Sequence, residues 1–249
     1  MPLDSFAAGE RADVVRRRVF DSRRLHMLIA GSRAVRALSI GVLARIELAI
    51  MSGHKDPEVM RVIRDIRRGR ESLLSGNEAF TVYSLAQAQA GLPGCMAEVG
   101  VFQGCSARLI SLASGGRPLH LFDTFAGLPE PGQDERDRMR AGHYAASLAG
   151  VEAFLQDRPE VSFHAGLFPD TAGPCMGERF SFVHLDVDLK SSTRACLEFF
   201  YPRMVPGGII LTHDYSYLAG VREAFAEFLE GRLERPVELA SSQAMLVRQ

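Results

Sequence analysis

The stretch Cys95-Met-Ala-Glu-Val-Gly-Val-Phe-Gln-Gly-Cys-Ser106 constrains this chain most. Its first half is a short apolar run of the kind that forms a strand buried on both faces. Gly100 ends the run, can take backbone angles closed to other residues, and leaves room for a ligand to approach the main chain. Gly104 and Ser106 then open a helix, whose first N–H groups suit a polar or anionic ligand end. Glu98 is a carboxylate inside the apolar strand, costly to bury without a partner. Either it pairs internally with a backbone amide or an arginine, or it meets the cationic end of a ligand. Alone, a Gly-x-x-x-Gly turn serves a nucleotide, a phosphate or nothing.

The flanks decide the class. Upstream, apolar residues at three-to-four spacing predict helices over residues 11–51, 57–70 and 77–90, an N-terminal helical section of residues 1–90. Within it, Arg16, Arg17, Arg18, Arg23 and Arg24 form a basic run, read as a solvated helix face or as a contact with a partner subunit or an acidic substrate. Downstream, strands at 96–99, 118–122, 161–164, 182–185 and 208–211 alternate with helices at 106–113, 145–156, 193–200 and 221–229. Short strands at 237–240 and 245–247, around Ser241-Ser-Gln243, close the chain as a hairpin. The pattern predicts an α/β fold over residues 91–249, a mostly parallel seven-stranded sheet with helices on both faces.

Composition narrows the function. The 249 residues are 47% hydrophobic, enough for one large core, and the net charge of -1 gives no general attraction to nucleic acid or a membrane surface. The apolar stretch Met27–Met51 is interrupted by Arg33, Arg36, Arg45 and Glu47, which makes it a poor membrane span. The N-terminus lacks the basic and apolar regions of a secretion signal. Cys95, Cys105, Cys175 and Cys196 have neither C-x-x-C nor zinc-finger spacing and read as reduced thiols, so a cytoplasmic setting is expected.

Ligands of open parallel sheets bind beyond the carboxyl ends of the strands. Four of the predicted strands end in polar residues there: Glu98 with Gly100, Asp123, Asp186 with Asp188, and His213 with Asp214. Asp123 follows the glycine turn by about 25 residues, where a carboxylate can accept ribose hydroxyls; its plainer role is to cap the Thr124–Gly127 turn. Asp186 and Asp188 share a side if the strand runs through them, and with Asp214 they offer oxygens that suit Mg2+. His213 tilts such a site toward manganese or another transition metal. The plainer alternative is that Asp188 caps the following helix and Asp214 serves a turn. Gly166 and Phe168 suit a flat ring or an ordinary turn, and His143 and Tyr144 lie where a lid would be. His164 and His184, inside strand patterns, read as core histidines.

Glu98–Ser106, Phe122-Asp-Thr-Phe-Ala-Gly-Leu-Pro129, His184–Thr193 and Gly207–Tyr215 together resemble the TylF/MycF-type methyltransferases. The resemblance covers roughly Phe80 to Leu229. It implies a class I methyltransferase, Rossmann-like fold, and S-adenosylmethionine-dependent, divalent-metal-assisted O-methylation of sugar hydroxyls on natural products. By position, Glu98, Gly100, Gly104 and Ser106 would surround the methionine end of the cofactor and Asp123 would hold its ribose. Gly166, Phe168 and Thr171 would lie near the adenine, Asp186 would border cofactor and metal, and Asp214 with His213 would complete the metal set. Asp188 would be the base at the substrate hydroxyl. This chain departs from the family pattern at His213, where an acid is usual, and at Lys190, where an aromatic is common; the first bears on the metal and the second on the substrate. The expected partners are a small-molecule hydroxyl acceptor and a second copy of the chain, met through the N-terminal helices.

Rival readings are a methyltransferase for a catechol or peptide amine, a haloacid-dehalogenase-like phosphatase using Asp186-Val-Asp188, a nicotinamide-dependent enzyme, and a non-catalytic module.

Overall fold

The computed structural model describes residues 33–249, with side chains from Leu38 onward. The basic run and the first part of the predicted long helix lie outside the described residues. Helix α1 (Arg33–Met51) is followed by α2 (Pro57–Arg68) and α3 (Gly76–Gln89). Asp56 caps α2 by accepting the Glu58 N–H, with proline at the first helical position. Helix α3 begins one residue before the periodicity suggests, because Ser75 and Glu78 form a reciprocal capping box.

Seven strands follow: β1 (Cys95–Val99), β2 (Leu119–Asp123), β3 (Val161–Ala165), β4 (Phe180–Leu185), β5 (Met204–Thr212), β6 (Val237–Glu238) and β7 (Ala244–Val247). They make one sheet in the order β3-β2-β1-β4-β5-β7-β6. The first five are parallel, and β7 runs antiparallel between β5 and β6. Helices α4 (Cys105–Ala113), α5 (Leu148–Phe154), α6 (Lys190–Phe200) and α7 (Ala219–Phe228) connect them. The architecture is the predicted one. Several lengths differ: α5 is shorter than the 145–156 expected and β6 shorter than 237–240, while β5 already begins at Met204 rather than Gly208 and α6 at Lys190 rather than Thr193.

Strand alternation sends side chains to two cores. On one face Met96, Leu119, Leu121 and Phe182 pack with Ile63, Val82 and Ala86 of the N-terminal helices and Ile110 of α4. On the other, Val99, Phe122, Val183 and Ile210 pack with Leu197 and Phe200 of α6 and Phe225 of α7. The N-terminal helices therefore share the core of the sheet. One stripe of α1 remains outside it, with Leu38, Val42, Ile46 and Ile50 exposed at spacing four.

Candidate active site

The strand order reverses at β1, with β2 and β3 on one side and β4 and β5 on the other. Carboxyl ends that diverge at such a point leave a crevice. Here it is a cleft of roughly 830 Å3, open mouth included, within the range of small-molecule sites. Gly100, Asp123, Gly166, Phe168, Asp186, Asp188, His213 and Asp214 all line it. Ser106 lines a smaller adjoining cavity with Gly100 and Asp186. Glu98, Gly104 and Thr171 line neither.

Gly100 has φ +88, and a Cβ there would stand 1.9 Å from the Asp186 carbonyl oxygen. The loop after β1 can press against the end of β4 only because this residue is glycine. Asp123 then holds the loop. Its Oδ2 accepts the N–H groups of Val101 (2.6 Å) and Phe102 (2.9 Å), and its Oδ1 accepts that of Phe125 (2.7 Å). The turn-capping role is thus present, and the same carboxylate faces the cleft. With three acceptor positions filled, about one remains for a ligand hydroxyl. Asp123→Ala is expected to cost about 3 kcal/mol, since it orphans three amides of a charged acceptor; chemical denaturation measures the loss, and an unchanged midpoint would refute the bracing role.

Glu98 does not open onto the cleft. It is wholly buried, and its Oε1 lies 2.8 Å from Nδ1 of His184, its cross-strand neighbour on β4. The internal partner is therefore a histidine, neither an arginine nor a backbone amide. Burial raises the Glu98 carboxyl above its ordinary value, against the pull of His184 and Ser106. Glu98 Oε2 and His184 Nε2 are buried without a hydrogen-bond partner, so the expected core histidine is satisfied at one nitrogen only.

At the ends of β4 and β5 the predicted metal set converges. His213 Nδ1 lies 3.3 Å from Asp186 Oδ1 and 3.1 Å from Asp214 Oδ2, and its Nε2 lies 3.4 Å from Glu78 Oε2. Neither ring nitrogen makes an aligned hydrogen bond. One donor atom from each of Asp186, His213 and Asp214 lies within 4.8 Å of the other two, as ligands around one ion do. Two carboxylates and an imidazole fit a divalent cation, and favour a transition ion such as Mn2+ over Mg2+. Burial disfavours a charged His213, but Asp214 and Asp186 outweigh it and hold the imidazole well above its ordinary value. Burial would likewise raise Asp186, yet His213 keeps it below the usual carboxylate value.

Glu78 was not legible as a site residue. Burial would raise its carboxyl, but His213, Ser242 and Ser75 together hold it well below the usual range. Its Oε1 accepts the Ser242 hydroxyl (2.6 Å) and its Oε2 accepts the Ser75 N–H (2.8 Å), so it stands braced behind His213. A carboxylate in that place fixes the ring of a metal-bound histidine. The Ser75-x-x-Glu78 spacing marked a capping box; nothing local marked the contact with residue 213.

Other expectations resolve individually. Asp188 and Asp214 adopt φ +58 and +54, turning the chain at the two strand ends. The cap residue of α6 is Leu189, and the Glu135 carboxylate accepts the first helical N–H, that of Lys190, at 2.8 Å. Gly104 admits α5: a Cβ would meet Val151 Cγ1 at 2.9 Å. At Gly166 a Cβ would meet Thr171 Cγ2 at 2.7 Å, so that glycine tightens its own turn. Phe168 is buried and stacks on Phe200 at 5.2 Å. His143 and Tyr144 line the cleft from the long loop, together with Leu128 and Phe102. Lys190 is drawn away to Glu223 (3.0 Å) and Glu227 (2.8 Å), both on α7, and lines neither cavity.

The strand order and the switch-point cleft define a class I methyltransferase fold, shared with solved structures. The O-methyltransferase NovP superposes with a TM-score of 0.63 at 21% identity, over 72% of this chain and 82% of that one. An O-methyltransferase from Bacillus cereus in complex with SAH gives 0.57 at 16%, over 84% and 100%. Residues 81–248 match the macrocin O-methyltransferase (TylF) family, and the chain belongs to it. Among curated relatives, the 8-demethyl-8-(2,3-dimethoxy-alpha-L-rhamnosyl)-tetracenomycin-C 4'-O-methyltransferase of Streptomyces olivaceus is 36% identical over 144 residues, 51% of this chain and 54% of the relative. The mycinamicin III 3''-O-methyltransferase of Micromonospora griseorubida is 31% identical over 158 residues, 55% and 61%. The matches thus span little more than half the length of these relatives. Family membership favours the methyltransferase reading over the phosphatase and nicotinamide ones.

Proposed function

We propose that this chain transfers a methyl group from S-adenosylmethionine to a hydroxyl of a sugar-bearing natural product or similar polar small molecule, with a divalent cation at Asp186, His213 and Asp214. The observation that carries this reading is one cleft lined by both Asp123 and the Asp186–Asp188–His213–Asp214 group. The relatives' names, which specify O-methylation at 4' and 3'' positions, support the acceptor class. Bound there, the cofactor supplies a methyl group on a sulfonium leaving group, and the cation lowers the cost of an alkoxide.

The chain's own residues do the rest. Asp123 orients the ribose with its remaining acceptor capacity. Gly100 and Ser106, on the smaller adjoining cavity, form the methionine side, while Glu98, wholly buried against His184, does not reach it. Gly166 and Phe168 form the adenine side, with Thr171 packed behind Gly166. Glu78 holds the His213 ring, and Asp188 takes the proton from the acceptor hydroxyl. The exposed stripe of α1 supports a contact between two copies; a monomer by sedimentation at micromolar concentration would exclude it. No helix among the described residues is long and apolar enough to cross a membrane, and four free, buried cysteines suit the cytoplasmic setting we propose.

The test is radiolabelled methyl transfer to a panel of glycosylated natural products, catechols and peptide amines, with and without chelator. Transfer to a glycosylated acceptor, lost on chelation and restored by Mn2+, is expected. Transfer confined to catechols or amines would overturn the acceptor class, and transfer undiminished by chelation would overturn the metal.

A further inference from the structure

On the far side of Phe122 from the cleft, three donors from separate segments converge. His120 lies on β2, His164 on β3, and Cys175 ends the short 3-10 turn Gly173–Cys175. His120 Nδ1 lies 3.0 Å from His164 Nε2, and Cys175 Sγ lies 3.9 Å from that same nitrogen. One donor atom from each of the three falls within 4.8 Å of the others. Ligands of a tetrahedral zinc ion, at ~2.0 Å for nitrogen and ~2.3 Å for sulfur, stand about 3.3 Å (N to N) and about 3.6 Å (N to S) apart. The observed separations straddle those values, so small side-chain rotations would suffice.

We propose that His120, His164 and Cys175 form a binding site for a zinc-type divalent ion, separate from the cleft and independent of the methyl-transfer reading. Two imidazoles and a thiol are the donors that borderline and soft ions select, whereas the cleft offers mainly oxygens. Burial holds both imidazoles below their ordinary value, which keeps them neutral and ready to coordinate. Burial, then the Glu178 carboxylate, pushes the Cys175 thiol up to about 11. On binding, a sulfur–metal bond forms and the thiol proton passes to solvent. Glu178 also acts electrostatically on His120 and accepts the Cys95 thiol at 3.3 Å. That carboxylate balances charge near the ion, and water completes the coordination. A histidine–histidine hydrogen bond accounts for His120 and His164, and core packing with Phe168 and Phe200 accounts for the burial of Cys175; neither requires the Sγ to stand beside the His164 ring nitrogen. The site also touches the cleft wall, because the His164 ring stacks on Phe122 at 4.5 Å.

Titration of the reduced full chain with Co2+ tests the site, since only a thiolate ligand gives sulfur-to-cobalt charge-transfer absorption. The band is expected to saturate at one equivalent in Asp186→Ala, which removes a cleft ligand, to persist in Cys95→Ser, and to vanish in Cys175→Ser. His164→Gln, which keeps a polar group at that position, is expected to weaken Zn2+ binding by an order of magnitude or more in a competition assay. Absence of the band in the parent protein, or its survival in Cys175→Ser, would overturn the proposal.

Discussion

Asp188→Asn is expected to lower kcat by ~10²- to 10⁴-fold, the usual contribution of a positioned proton acceptor, while affinity for S-adenosylhomocysteine stays within a factor of about two. Asparagine is the informative replacement. Asp188 has φ +58, a left-handed conformation that asparagine tolerates and most residues do not. Its amide keeps the size of the carboxylate and loses the ability to take a proton. Asp188→Ala confounds the two effects, because it adds a backbone cost of about 1 kcal/mol to the chemical one. Asp188 belongs to the cleft lining, and the first N–H of α6 is already taken by Glu135. Steady-state kinetics on an accepted glycoside, with calorimetry for cofactor binding, separates these outcomes. Equal turnover by the asparagine variant and the parent would remove Asp188 from the chemistry.

What the sequence disclosed and what it withheld divide along a physical line. The parallel sheet was legible because strand and helix periods alternate, and the cleft because polar residues terminate four apolar strands. Both signals are local. Position beyond the carboxyl ends of the strands brought Asp123, Asp186 and Asp188 together; strand parity did not, because β4 ends at Leu185, before both aspartates. Parity bore on Glu98, which shares a face with Met96, but it gives a side and not a depth: the side chain lies fully buried against His184. Glu78 was illegible as a site residue for a different reason. It reaches Ser242, 164 positions away, and no local pattern encodes a contact of that separation. The glycines divided in the same way. The need for glycine was visible at residues 100, 104 and 166, whereas the neighbour that required it was not. Gly104 faces Val151 of a helix, and Gly166 faces Thr171 of its own turn.

Gly100 is where that distinction has the largest consequence for stability. Gly100→Ala is expected to destabilise the protein by about 3–5 kcal/mol, the sum of a positive-φ penalty and a forced backbone displacement. The positive φ of +88 accounts for the smaller part. The larger part comes from the Asp186 carbonyl oxygen 1.9 Å from the new methyl group, which is main chain and cannot rotate away. For a domain of this size such a loss lowers Tm by about 10 °C. Gly116→Ala isolates the two terms, because Gly116 has φ +83 with nothing within 4 Å of an added Cβ. That variant should lose only about 1 kcal/mol. Relief of the clash requires the ends of β1 and β4 to part, which moves Asp186 relative to the amides held by Asp123. Cofactor affinity in Gly100→Ala should therefore fall even at temperatures where the variant is fully folded, and remain unchanged in Gly116→Ala. Equal losses of stability in the two variants would show that φ alone sets the cost, and that contact between the first strand's loop and Asp186 does not brace the site.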